Sequence, residues 1–145
     1  MDAITLDSPS VQSYLSILQG VINRMASNCA GCKTWCVGLV SAIIVIIADK
    51  REPEYVWLSL VPITLFFCLD AYYLALERSF CDRYNTFIRK LHSATATVDD
   101  LFIVSPGADG KQVFTATVRA IASIAIWPFY GLLALMLLLI RVWVL

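Results

Sequence analysis

The chain has 145 residues, 59% of them hydrophobic and 15% charged, with a formal net charge of zero and a mean hydropathy of +0.75. A soluble domain of this size encloses too little interior to hide so much apolar surface, so part of it must face lipid. The balanced charge gives no case for nucleic-acid binding, and the absence of a linker points to one domain.

Met1 to Asp7 are acidic and lack the basic and apolar regions of a secretory signal, so the chain is expected to enter the membrane through its own spans. Ser8-Pro9 reads as an N-cap followed by proline at the first helical position. Val11, Leu15, Leu18, Ile22, Met25 and Cys29 then recur at steps of four, three, four, three and four, an apolar stripe at helical period. Gln12, Ser13, Ser16, Gln19, Asn23 and Ser27 take the opposite face, with Arg24 its only cation. A helix resting on anionic lipid carries more Lys and Arg, so this stripe suits a partner helix better. Residues 1–33 are assigned to a cytosolic, amphipathic amino-terminal helix.

The first span covers 34–48, fifteen residues without a charge. That is short for a crossing of ~20 residues, and it reaches only if Ala30 to Lys33 dip into the interface with Lys33 snorkelling. Asp49 to Glu54 form a charged turn, and Pro53-Glu54 suits the start of a helix. The second span covers 55–76, with Pro62 expected to bend it because proline frees a carbonyl one turn back. Nothing halts the helix there. Phe80, Tyr84, Phe87 or Ile88, and Leu91 prolong an apolar face into a charged stretch, and the stripe of the first helix has the period to cover it. Residues 77–118 are thus a cytosolic helical extension and loop. Thr97-Val98-Asp99-Asp100 resembles a cap and first turn, and Ser105 to Gly110 are dense in turn signals. The third span covers 119–145, its apolar core running from about Ala120 to Ile140, with Trp127 and Pro128 early and Arg141 and Trp143 at the far edge. The predicted fold is all-α: a three-span helical membrane protein with amphipathic cytosolic helices, assembled as a homo-oligomer.

Three spans put the termini on opposite sides. One side holds Arg24, Lys33, Arg78, Arg83, Arg89, Lys90, Lys111 and Arg119, the other only Lys50, Arg51 and Arg141. The excess of positive charge places the amino end, the helical projection and the 93–111 loop in the cytoplasm.

Asp70 is the sharpest chemical signal. It lies roughly 22 Å along the axis from Tyr55, near the inner boundary of a ~30 Å core. A carboxylate there should face a partner, a pore or water. Either it pairs with Lys33, Arg78 or Arg119 near the headgroups, or it serves a pore or gate together with Tyr73 and Glu77 on the same face. Thr34, Gly38, Ser41, Val45 and Ala48 form a narrow face of mostly small residues, suited to close helix packing or, in an oligomer, to lining a water-filled path. Cys29, Cys32 and Cys36 have a metal-like spacing, but they are expected to spread around their helix, and with His92 far away no metal site or other cofactor is predicted. Five cysteines, with Cys68 inside an apolar span, do not suit a disulfide framework. No phosphate-binding loop, nucleophile elbow or paired-histidine motif is present, and Asp70 and Glu77 stand about 10 Å apart along one helix, so an enzyme is not expected.

The stretch Leu69-Asp70-Ala71-Tyr72-Tyr73-Leu74-Ala75-Leu76-Glu77-Arg78, followed by Phe80 and Tyr84, resembles small bacterial membrane proteins in which an LDAYYLxLER segment closes the second span and continues into a cytoplasmic helix. Trp127-Pro128-Phe129-Tyr130 looks similar as well. The likeness covers about thirty residues and is architectural. It extends to the channel-forming effectors of the Hailong antiphage defence system. The resemblance implies a homo-oligomeric channel, such as a tetramer, in the bacterial inner membrane. It further implies opening by a nucleotide messenger, made by a partner nucleotidyltransferase, that depolarises an infected cell. It places no ligand-binding residue. From charge alone, Arg83, Arg89, Lys90, Lys111 and Arg119 could meet an anionic messenger, or could serve only as cytoplasmic anchors. A second reading is a non-conducting scaffold or accessory subunit whose cytosolic helices dock another protein.

Overall fold

The computed structural model describes residues 7–50, 53–106 and 110–143. These form four α-helices: α1 (Pro9–Lys50), α2 (Leu60–His92), α3 (Gly110–Ile121) and α4 (Trp127–Trp143). Short 3-10 segments occupy Pro53–Ser59 and Val98–Asp100, and there is no strand among the described residues.

The amino-terminal helix and the first span are one uninterrupted helix of 42 residues, about 63 Å long. No proline falls between Pro9 and Pro53, and the glycines at 20, 31 and 38 stand singly, so nothing in the sequence breaks the hydrogen-bond ladder. The Ser8 carbonyl accepts from the Gln12 amide at 3.1 Å, closing the first turn behind Pro9 as expected. The second long helix continues to His92, one residue past Leu91. Together with its 3-10 lead-in, the segment from Glu54 to His92 spans 39 residues. Pro62 does not interrupt it. Instead the first turns adopt 3-10 geometry up to Ser59, the region where Pro62 supplies no amide to the preceding turn. Both segments are long and apolar enough to cross a membrane, and both are about twice the length that a ~30 Å core requires.

α1 and α2 pack antiparallel, and their shared seam has two chemically distinct halves. In one, Val11, Tyr14 and Leu18 interlock with Phe80, Phe87 and Leu91, flanked by Leu15, Ile22, Ile88 and Leu101. The Tyr14 ring meets Phe87 edge-on at 4.9 Å, and its hydroxyl donates to the Ile103 carbonyl at 2.9 Å. The apolar stripe of the first helix thus covers the apolar face of the second, as its period predicted. The outward face of this half of α1, from Gln12 to Ser27, is polar and exposed. In the other half, Cys36, Val40 and Ile47 meet Val56, Ile63, Ala71 and Ala75, with Ala120, Ile126, Tyr130 and Leu137 completing the core. Here the outward side chains are also apolar: Trp35, Leu39, Ile46, Leu58, Val61, Leu65, Leu135 and Leu138 are all exposed. Water is a poor solvent for such a surface, and hydrocarbon is a good one.

The third apolar segment departs from its predicted bounds. In place of one helix from about Ala120, α3 ends at Ile121, the chain turns through residues 122–126, and α4 starts at Trp127. Pro128 explains the break: it has no amide for residue 124 and is tolerated only in a first turn. Ser123 holds the turn, its carbonyl accepting from Ile126 at 3.1 Å and its hydroxyl from Arg78 at 2.7 Å. α4 is 17 residues, about 26 Å. It lies alongside the apolar half of the hairpin: Phe67 packs edge-on against Tyr130 at 5.4 Å, and Arg141 stacks on Trp57 at 4.8 Å. Part of the charged turn expected over 49–54 (Arg51, Glu52) and part of the 105–110 turn (Gly107, Ala108, Asp109) lie outside the described residues, as do Met1 to Leu6 and the last two positions.

Candidate functional site

Asp70 is fixed on α2 where the two halves of the seam meet. Its carboxylate is 1% exposed, and Lys33 Nζ approaches Oδ2 at 2.6 Å from a side chain that is 28% exposed. Lys33 is therefore the partner, out of the three cations that the sequence offered. The approach is an ion pair in distance but lies outside hydrogen-bonding angles, so Oδ2 has no directional donor. The Cys29 thiol reaches the Asp70 backbone carbonyl at 3.8 Å. The buried Tyr130 hydroxyl, also without a hydrogen-bond partner, is within electrostatic reach of the carboxylate. One apolar junction of α1, α2 and α4 thus holds an acid, a base and a phenol. Removing either charged partner would leave the other uncompensated, the costly outcome for a buried ion pair.

Tyr73 and Glu77 lie half-buried beyond Asp70 on the α1-facing side of α2. Thr34, Gly38 and Ser41 are exposed on α1. Within one chain the pore or gate candidates therefore fall into two groups, a buried one around Asp70 and an exposed one on α1. The cysteine expectation needs correction. Spacings of three and four put Cys29, Cys32 and Cys36 on one face of α1, and all three are buried there. They pack as small apolar side chains, and no group of three potential metal ligands occurs among the described residues. On the α2 extension, burial and the neighbouring Glu77 and Asp82 push the Cys81 thiol up, which suppresses its nucleophilic form.

The basic candidates are divided by the fold. Arg83 and Lys90 border a cleft of about 370 Å³ with Tyr14, Thr86, Phe87 and Asp100. There Arg83 donates to the Ser105 carbonyl at 3.1 Å and Lys90 pairs with Asp100 at 2.6 Å. Lys111 and Arg119 border a second cleft, about 480 Å³, between α2 and α3. Arg78, Ser79, Asp82, Gln112 and Thr115 complete its polar wall. Arg89 belongs to neither cleft; it bonds Thr86 on its own helix at 3.0 Å. Sequence reasoning gave Arg78 no part in ligand binding. Its place beside Lys111 and Arg119 depends on α3 folding back along α2, which no local pattern encodes.

Comparison with known proteins returns no match: no family model, no curated protein and no solved structure is significantly similar to the chain.

Proposed function

We propose that the chain is one subunit of a homo-oligomeric membrane pore, gated from the cytoplasm. The reading rests on the face of α1 turned away from α2, on which Ser41 also borders an apolar groove against α4. At about 100° per residue, Gln12, Ser16, Asn23, Ser27, Thr34, Gly38, Ser41, Val45 and Ala48 fall on one line. All nine are exposed, and the line passes without a break from the polar half of the molecule into the half that is apolar outside. A helix facing only lipid has no use for serine, threonine and glycine along its outward side. A helix facing copies of itself, or a file of water between them, does. One protomer encloses no channel, so assembly is required.

In this reading α1, the second long helix and α4 cross the bacterial inner membrane, with the amino terminus inside, as the eight-to-three distribution of cations supports. The turn at 122–126 dips into the interface and makes up the short length of α4. The opening signal is anionic. A nucleotide messenger is the class implied by the resemblance to Hailong effectors, and the cleft beside Arg83 and Lys90 is the candidate receptor. Such a ligand opens the pore only by binding the open assembly more tightly than the closed one.

The test is conductance. Full-length protein in planar bilayers should give discrete current steps that increase with added linear or cyclic oligonucleotides, and expression with an activator should collapse the membrane potential. Assembled protein that stays silent with every activator class would eliminate the pore. A second reading would then stand, a scaffold that docks a cytosolic protein. It is favoured by the exposed run Phe102-Ile103-Val104, an apolar surface on the polar half of the molecule.

A further inference from the structure

The cleft between α2 and α3 has more positive charge than the fold consumes. Its walls bring together Arg78, Lys111 and Arg119 against a single carboxylate, Asp82. Arg78 is tied to the Ser123 hydroxyl at 2.7 Å, while Lys111 and Arg119 are exposed and make no ion pair among the described residues. Its α2 wall runs from Ala75 to Asp82, roughly 8 to 18 Å along the axis past Asp70. With Asp70 about 22 Å along the second apolar segment from Tyr55, a ~30 Å core ends near Ala75, so that interval coincides with the headgroup band, which adds ~5–8 Å to each side of the core, and with the water just beyond it. The surrounding surface is apolar: Phe114 on α3 is 71% exposed, and Ile124, next to the Arg78-bound Ser123, is 87% exposed. Val118 and Trp127 are exposed as well.

We propose that this cleft holds the phosphate of an anionic phospholipid from the cytoplasmic leaflet, with its acyl chains lying over Phe114, Val118 and Ile124. Two arginines and a lysine supply charge-assisted donors to phosphate oxygens, and the Gln112 amide offers a neutral donor beside them, while the Ser79 and Thr115 hydroxyls donate to the Ala75 and Lys111 carbonyls of their own helices. A free phosphate compound would satisfy the same donors, but it would leave the apolar side chains unused. That juxtaposition favours the lipid. The inference rests on the membrane location of the chain and is independent of conduction.

Full-length protein in dodecylmaltoside would be titrated with dioleoyl-phosphatidylglycerol, dioleoyl-phosphatidylcholine and soluble glycerol 1-phosphate, with bound lipid followed by native mass spectrometry and thermal stability measured in parallel. Phosphatidylglycerol is expected to be retained and to stabilise selectively. Each cation removed should weaken the preference about 5-fold, and the combined R78Q, K111Q and R119Q variant roughly 100-fold. Arg119→Lys should keep most of the preference, and Arg89→Gln, outside the cleft, all of it. If the triple variant loses its helical circular dichroism, the contrast between Arg119→Gln and Arg119→Lys decides the matter. Equal binding of the two lipids, an undiminished preference in the charge variants, or glycerol 1-phosphate binding as tightly as the lipid would overturn the proposal. Loss of lipid preference with conductance intact removes this inference alone, and silence in bilayers with the preference intact removes only the pore.

Discussion

Ala94 is a residue in an unsuitable backbone position. It follows the end of α2 with φ of 55°. The Thr95 amide donates to the Lys90 carbonyl at 2.9 Å and the Ala94 amide to the Leu91 carbonyl at 3.1 Å. Those two bonds define a Schellman cap, whose left-handed residue is normally glycine. Ala94→Gly should therefore stabilise the protein by about 1 kcal/mol, read as a rise in the thermal midpoint in detergent. The Lys33–Asp70 pair makes an opposite prediction. Lys33→Met leaves a buried carboxylate unpaired and should cost about 3 kcal/mol, whereas Lys33→Met with Asp70→Leu should recover most of that loss. A double variant as unstable as the single one would mean that Asp70 has another essential partner. Asp70 was conspicuous in the sequence as an acid in an apolar run. Its choice of Lys33 was not, because Arg78 and Arg119 were equally available until the helix register was fixed.

Among the elements, the turn after α2 shows how a local pattern can be read in advance. Thr97 and Asp100 were expected to form a cap, and the Asp100 carboxylate accepts from the Thr97 amide at 3.1 Å and from its hydroxyl at 3.2 Å. The hydrogen bond from Lys90 is the main reason that Asp100 titrates below its ordinary value of 3.8, with the Thr97 amide second. A lowered carboxylate pKa stabilises the turn at pH values above the ordinary one, and that contribution disappears as pH falls through the lowered value. Amide protection over Thr97–Leu101, taken relative to the intrinsic exchange rate at each pH, should hold down to about pH 4 and fall below it. Asp100→Asn should remove the pH step and leave a uniformly less protected turn. The boundary of the last apolar helix was less legible. Ala120 to Ile140 is one apolar run, and hydropathy does not register that Pro128 forces a new helix start.

At the scale of the whole molecule, folding and assembly can be separated at Gly38. A Cβ added there meets nothing within 4 Å in the single chain. Gly38→Leu should therefore leave the protomer's helicity and thermal midpoint nearly unchanged. If the exposed line of α1 is the contact between copies, the same substitution should shift detergent-solubilised protein from oligomer to monomer and abolish conductance. Light scattering and bilayer recording measure the two effects independently. An intact, conducting oligomer of Gly38→Leu would move the association surface to another face.

Composition and periodicity alone determined that the chain is helical, that two of its segments are long and apolar enough to cross a membrane, and that the first helix carries a stripe able to cover the projection of the second. These are properties of residue type and spacing, which helical geometry converts directly into faces. Tertiary structure decided three further matters. The amino-terminal amphipathic stretch and the first apolar stretch form one rod, which joins a polar face and a small-residue face into a single line. Asp70 pairs with Lys33, and α3 folds back along α2 to place Lys111 and Arg119 beside Arg78. Each of these depends on the rotation and register of one helix against another, and those are set by packing between side chains distant in sequence.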